Sequence, residues 1–140
     1  MKQPAEYLDL VRHTHAVLKL MAEANRGNGQ AGDISDWVVT LHFYILCTYV
    51  KALGSSRKCD FRSHNHIHAW IAGTKDLQGA FRSYRKVEEW SRDARYEGRT
   101  FPPAEMAAVH RWFVDVRDQV GGLLEAAGVR PVPRVAIVEA

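Results

Sequence analysis

The segment from Trp37 to Leu53 is the most apolar in the chain, and its character restricts the folds open to the sequence. At helical spacing its apolar side chains cover most of the helix circumference, and a helix of this kind must be covered on nearly every side. Thr40, His42 and Lys51 interrupt it, whereas a membrane span needs about 20 predominantly apolar residues. The segment therefore predicts the central helix of a soluble bundle or a helix packed against a second subunit, with no membrane insertion.

Helical periodicity and helix-terminal residues divide the rest of the chain. The apolar helix is expected to begin at Asp33 or Ser35, either of which can cap free amides, and to end at Gly54, where a left-handed turn suits glycine. The other predicted helices cover about residues 4–25, 64–73, 75–96 and 103–127. The predicted fold class is all-α, an up-and-down antiparallel bundle of four to five helices. One domain is expected over residues 1–128, and residues 129–140 form a C-terminal tail that hangs free, lies along the surface or docks as a strand.

Composition limits the possible partners and compartments. The chain has 140 residues, enough for one domain, and a net charge of +3, which permits an anionic partner without requiring one. Its two cysteines and the absence of a secretory signal pattern predict a reducing, cytoplasmic location. The only glycine-rich loop, near Gly27 and Gly29, lacks the lysine and the preceding strand of a phosphate-binding loop. We therefore predict no cofactor.

A histidine-rich segment follows the apolar helix, and it admits a metal-binding interpretation. His64, His66 and His68 alternate, and His64 and His68 would share one face of a helix at i, i+4 spacing. Zinc requires three or four ligands, which Cys59 and Asp60 could complete. No spacing forces these groups together, so capping and surface roles are favoured and no metal is predicted.

The same segment also carries candidate residues for RNA cleavage. Histidine can act as general acid or base on a ribose hydroxyl or a leaving oxygen near neutral pH, and arginine can stabilise charge that develops on phosphate. Arg62 with His68 is one possible pair, and Arg57 with His64 is another. Spacing alone does not choose between them.

A third candidate is a basic face on the helix expected over residues 75–96. Glu88 and Glu89 interleave with its cations, so a solvated, salt-bridged surface is the competing interpretation. A row of cations along one helix could follow a nucleic-acid backbone. The candidate nucleic-acid-binding residues are Arg82, Lys86, Arg92 and Arg95.

Several of these features occur together in a known family. They are, in chain order, a helix ending in Ala-Leu-Gly at residues 52–54, a polar loop leading to His64 and the stretch from Tyr84 to Tyr96. A further amphipathic helix follows. This arrangement, over about residues 37–124, resembles the small HEPN (higher eukaryotes and prokaryotes nucleotide-binding) family. Its most specific part is residues 92–96, where the family often shows arginine, about two polar residues, alanine, an acidic residue and tyrosine. Arg95 occupies the acidic position here.

The resemblance implies an up-and-down helical bundle that usually dimerises. Some HEPN members are metal-independent RNA endonucleases of toxin–antitoxin, CRISPR and phage-defence systems, in which an arginine and a histidine separated by four to six residues meet their copies across the dimer. Carried over, the catalytic residues are Arg62 with His68, or Arg57 with His64. Other members are non-catalytic partners, often beside a nucleotidyltransferase. We expect a homodimer that acts on or near RNA or, alternatively, a module that docks a nucleotide, a cognate antitoxin or a nucleotidyltransferase.

Overall fold

The computed structural model describes residues 2–140 and contains helices but no strands within that range. The five α-helices are α1 (Pro4–Asn28), α2 (Ser35–Ser56), α3 (His64–Gly73), α4 (Gln78–Glu97) and α5 (Pro103–Ala126). A short 3-10 turn at Lys75–Leu77 leads into α4. The helices pack against one another, which confirms the predicted all-α bundle.

Helix α2 is the centre of the bundle. It packs against α1, α4 and α5 and also touches α3. Within residues 2–140 it is also the one helix long and apolar enough to cross a membrane, but 78% of that apolar window is buried inside the bundle. Such burial is typical of the core helix of a soluble protein, so α2 is only weak evidence for membrane insertion.

The end of α2 differs from the prediction made at Gly54. The helix continues to Ser56, and Gly54 lies buried within it with no positive φ angle, so its role as a left-handed cap is wrong. Its missing side chain matters for packing, because a Cβ atom there would lie 2.5 Å from Cε2 of Phe61. The left-handed residue after the helix is Lys58, with φ 61°.

The C-terminal tail lies along the bundle in an extended conformation. Val138 is buried, and its N–H donates to Nε2 of His42 on α2 at 3.2 Å. The Tyr49 hydroxyl donates to the Pro133 carbonyl, and His15 of α1 bonds the tail at the carbonyl of Ala136. Side chains of the bundle thus satisfy tail backbone groups that a strand partner would otherwise pair.

Helix α3 is short, and local bonds set its position beside α4. Ser63 is its N-cap, and its hydroxyl accepts from the backbone N–H of His66 at 3.1 Å. Ile67 and Ile71 are buried and form the inner face of α3. The helix packs against α4 and also touches α2, and His64 and His68 lie on adjacent turns of it.

Candidate functional site

His68 is held by a buried carboxylate. Its Nδ1 lies 2.6 Å from Oε1 of Glu88 on α4, where the Glu88 side chain is 6% exposed and the imidazole 36% exposed. The ring also meets the edge of Phe81 at 5.3 Å between centroids. Nδ1 faces the carboxylate and Nε2 makes no hydrogen bond within residues 2–140, an arrangement that suits a general acid or base.

His64 lies one turn earlier and packs on the aromatic surface of α2. Its ring stacks on Tyr44 at 6.2 Å and lies 5.6 Å from Phe43. Removal from water, followed by the nearby charges of Arg95 and Lys51, lowers the pKa of His64, so the neutral ring is favoured at neutral pH. His64 and His68 lie on adjacent turns of one helix face, where Cβ atoms are about 5–6 Å apart.

A buried thiol and phenol lie behind His64. Cys47 Sγ is 3.7 Å from Nδ1 of His64 and 3.5 Å from the Tyr84 hydroxyl. Burial raises the pKa of Cys47 to about 12, so the group remains a thiol and is a poor nucleophile. These two side chains support His64 from the core side.

Arg62 shares a small cavity with His64. The cavity, of about 140 Å³, is lined by Lys51, Phe61, Arg62, Ser63, His64 and Ile67. Two cations beside a neutral imidazole form a site suited to an anion such as phosphate. His68 does not line this cavity, so the structure brings Arg62 together with His64 more closely than with His68.

Arg57 is engaged elsewhere. Its guanidinium makes a bidentate pair with Asp76 at 2.9 and 2.6 Å and lies 6.0 Å from the centre of the Trp70 ring. This pairing lowers the pKa of Asp76 and raises that of Arg57. The predicted pairing of Arg57 with His64 is therefore not made in this conformation.

The predicted basic face of α4 divides into two sides. Arg82 and Arg92 are exposed, and Lys86 is half-buried. Arg95 lies nine positions after Lys86, which at 3.6 residues per turn places the two about 180° apart. Arg95 instead faces α2 and forms cation–π contacts with Phe43 and Tyr44.

We define the polar cluster as six charged or titratable side chains gathered where α2, α3 and α4 meet: Lys51, Arg62, His64, His68, Glu88 and Arg95. Sequence reasoning missed Lys51, and it placed Glu88 on a solvated, salt-bridged surface, which is wrong because Glu88 is buried. The available signal was that Glu88 lies at helical spacing from the buried Tyr84 and Ser91.

The three histidines of α3 do not converge. His64 faces Cys47, His68 faces Glu88, and His66 accepts a hydrogen bond from the backbone N–H of Arg62 at 3.1 Å. Among residues 2–140, no group of three or more His, Cys, Asp or Glu side chains is arranged to hold a metal ion. The role of His66 is to fix the start of α3.

Comparison of this chain with protein-family models, with curated proteins and with solved structures finds no match. Membership of the HEPN family therefore stays a prediction from the sequence.

Proposed function

We propose that the polar cluster is the active site of a metal-independent endoribonuclease. Its substrate is single-stranded RNA, and the reaction is transfer of the scissile phosphate to the neighbouring ribose 2′-oxygen. The observation that carries the proposal is the bond between the buried Glu88 carboxylate and the half-exposed imidazole of His68. Burying a carboxylate charge is costly, so a buried pair of this kind is weak evidence for a purely stabilising role.

The proposed reaction needs one acid–base group and a cationic site for the phosphate. Nε2 of His68 takes the proton of the 2′-hydroxyl as its oxygen attacks phosphorus. The bond from phosphorus to the 5′-oxygen breaks, and the imidazolium returns the proton to that oxygen. The products are a 2′,3′-cyclic phosphate and a 5′-hydroxyl, so atoms and charge balance.

The remaining residues have supporting roles. Glu88 holds Nδ1 and stabilises the positive charge that the ring carries between the two transfers. Arg62 and Lys51 stabilise the negative charge on the phosphate oxygens. Neutral His64, one turn away, donates a hydrogen bond to the same phosphate without adding a charge. Removing one preorganised donor typically costs about 100-fold or more in rate.

The test is incubation of purified protein with total RNA in EDTA, followed by direct labelling of new 5′-hydroxyl ends with polynucleotide kinase. We expect fragments from the wild type and at least about 100-fold fewer from His68→Ala, Glu88→Gln or Arg62→Ala. His13→Ala changes an exposed histidine of α1 and is the matched control. Cleavage that survives in a folded His68→Ala variant would assign the activity to a contaminant and refute the proposal.

The exposed Arg82 and Arg92 and the half-buried Lys86 of α4 are proposed to guide RNA toward the cluster rather than to take part in cleavage. Each phosphate contact contributes a slope of about 0.7 to the dependence of binding on salt for single strands. An Arg82→Ala/Lys86→Ala/Arg92→Ala variant should therefore bind a labelled oligonucleotide more weakly and with a smaller salt slope. An unchanged slope would remove these residues from the binding surface.

The biological setting proposed from the resemblance is a cytoplasmic toxin–antitoxin or defence system, with a homodimer as the active form. Induced expression should arrest cell growth with the wild type and not with His68→Ala. Light scattering coupled to gel filtration should give a mass of two chains. A monomer that cleaves RNA would retain the chemistry and discard the dimer.

A non-catalytic docking module is the second candidate, and the surface of α1 favours it. Leu10, Val17 and Leu20 are exposed on that helix, with Leu20 68% exposed. The apolar surface of α2, in contrast, is used mainly inside the bundle. Two results together would favour this candidate: a folded protein with no RNA cleavage, and a complex with a cognate antitoxin or nucleotidyltransferase that is lost in a Val17→Asp/Leu20→Asp variant.

A further inference from the structure

A second cavity lies near the start of α2. It measures about 250 Å³ and is lined by Asp36, Trp37, Thr40, Ala94, Arg95 and Gly98. One wall is therefore the start of α2, and the other is the end of α4. The polar cluster and this cavity share Arg95, which lies between them.

Trp37 presents an unoccupied aromatic surface at this cavity. Its side chain is 57% exposed, whereas the other three tryptophans are half-buried and pack against aromatic rings. Within residues 2–140 no aromatic ring stacks on Trp37. An exposed indole beside a cation is the combination on which nucleobases stack in single-strand binding proteins.

Arg95 is a fixed cation without a carboxylate partner among residues 2–140. Its guanidinium lies 5.7 Å from the Tyr44 ring and 5.5 Å from the Tyr96 ring, and Nε donates to the Ser91 carbonyl. Tyr96 is itself 74% exposed. Nη1 and Nη2 make long contacts of 3.5 Å with the hydroxyls of Tyr44 and Ser91, so the guanidinium is oriented by its neighbours while no carboxylate among residues 2–140 neutralises its charge.

The distance between the two sites suits a short oligonucleotide. Trp37 and Tyr44 are seven residues apart on α2, which corresponds to about 10 Å at 1.5 Å per residue. Tyr44 stacks on His64 of the polar cluster. This span equals about three nucleotides stacked at 3.4 Å each.

Asp36 adds a means of choosing the base. Its Oδ1 accepts the backbone N–H of Trp37 at 2.9 Å, and Oδ2 has no hydrogen-bond partner among residues 2–140. A carboxylate offers about four acceptor sites and no donor. Guanine is the base that presents two adjacent N–H donors, at N1 and N2, on one edge.

We infer that the cavity lined by Trp37, Asp36 and Arg95 is a guanine-binding subsite for single-stranded RNA, two to three nucleotides from the cleaved phosphate. The inference rests on the proposed ribonuclease function, because it takes the polar cluster as the place of cleavage. Trp37 stacks on the base, Asp36 accepts its N1 and N2 protons, and Arg95 binds the following phosphate.

The experiment measures binding separately from cleavage. Fluorescently labelled hexamers with 2′-O-methyl riboses, which cannot be cleaved, carry one guanine, adenine or cytosine among uridines. We expect the guanine oligomer to bind about tenfold more tightly, which is about 1.4 kcal/mol, because a bidentate contact discriminates between bases. Asp36→Asn should remove this preference and retain the binding of the uridine oligomer. Trp37→Ala should weaken every oligomer by about tenfold.

Two controls separate the possible failures. Leu20→Ala removes an exposed apolar side chain of α1, and Arg130→Ala removes an exposed cation of the tail, and neither should change the base preference. Binding that needs Arg62 but is unaffected by Trp37→Ala and Asp36→Asn would overturn the subsite and leave the proposed function standing. A folded protein that binds none of the oligomers would overturn the subsite, and the absence of RNA cleavage in EDTA would separately overturn the proposed function.

Discussion

Buried His42 should make the stability of this protein fall steeply in mild acid. The ring lies in the core, where its Nδ1 donates to the Val38 carbonyl at 2.7 Å and its Nε2 accepts the N–H of Val138. Burial, together with the neighbouring imidazoles of His110 and His15, lowers the pKa of His42 from 6.5 to about 4. Protonation would place a second N–H against the tail donor and remove the acceptor of Val138.

The size of this loss of stability follows from the linkage between proton binding and folding. The pKa of His42 is lower in the folded state than in the unfolded chain, so the unfolded chain binds more protons. The contribution of neutral His42 to the free energy of unfolding is therefore fully present above pH 6.5. Stability is then lost as the pH falls from 6.5 toward 4. Between about pH 7 and about pH 5 this one group removes about 2 kcal/mol from the free energy of unfolding, and about 3 kcal/mol in the limit of low pH.

The assay is urea denaturation at about pH 7 and about pH 5, followed by tryptophan fluorescence. His42→Gln cannot titrate, so its loss of stability between the two pH values should be about 2 kcal/mol smaller than that of the wild type. His13→Gln changes an exposed histidine and should retain the wild-type loss. An identical loss in His42→Gln and wild type, or an NMR titration that shows the His42 ring charged at about pH 6, would refute the reasoning.

Two further predictions concern packing and thiol chemistry. Gly54→Ala should lower the free energy of unfolding by about 1–3 kcal/mol in urea denaturation, because its Cβ would overlap the Phe61 ring. Gly27→Ala is the control, because a Cβ atom at this position near the end of α1 has no neighbour within 4 Å. It should leave the free energy of unfolding unchanged or raise it by up to about 1 kcal/mol. Equal losses in the two variants would contradict the packing argument. In the native protein, an aromatic disulfide reagent should modify only the half-exposed Cys59, because burial raises the pKa of Cys47 to about 12 and keeps it as a thiol. Rapid reaction of both thiols would show instead that the core opens.

The helices could be predicted because their signals are local. The glycine after α4, Gly98, and the proline at the start of α5, Pro103, mark boundaries that the structure retains, with Gly98 at φ 64°. Met106, Val109, Phe113, Val116 and Val120 follow one another at steps of three or four residues, which is likewise a local signal, and all five are buried in α5. Each of these inferences needs only residues within one or two turns of each other.

The site could be predicted only in part, because its contacts join distant segments. The sequence indicated that His64 and His68 share a helix face, but it could not show that Glu88, twenty residues after His68, turns inward to meet it. Periodicity says which residues share a face and not which helix covers that face. For the same reason it could not show that Arg57 is taken up by Asp76.

The pair formed by His68 and Glu88 allows stability and function to be separated. Removing one partner of a buried pair leaves the other charge without compensation, so His68→Ala should cost about 1–3 kcal/mol in the free energy of unfolding. The lower part of the range applies, because the imidazole is 36% exposed and water can replace part of the bond. Glu88→Gln keeps a polar partner for the ring and should cost less.

Replacing both members by leucine should instead be neutral or stabilising, since well-packed apolar side chains often match or exceed a buried ion pair. Such a His68→Leu/Glu88→Leu variant, compared with both single leucine variants in urea denaturation and in the RNA cleavage assay, forms a double-mutant cycle. We expect a stable protein without cleavage, which means that the bundle does not need the pair for its fold. A double variant destabilised by the sum of the two single changes would show a coupling energy of zero between His68 and Glu88, and the acid–base role of His68 would then lose the observation on which it stands.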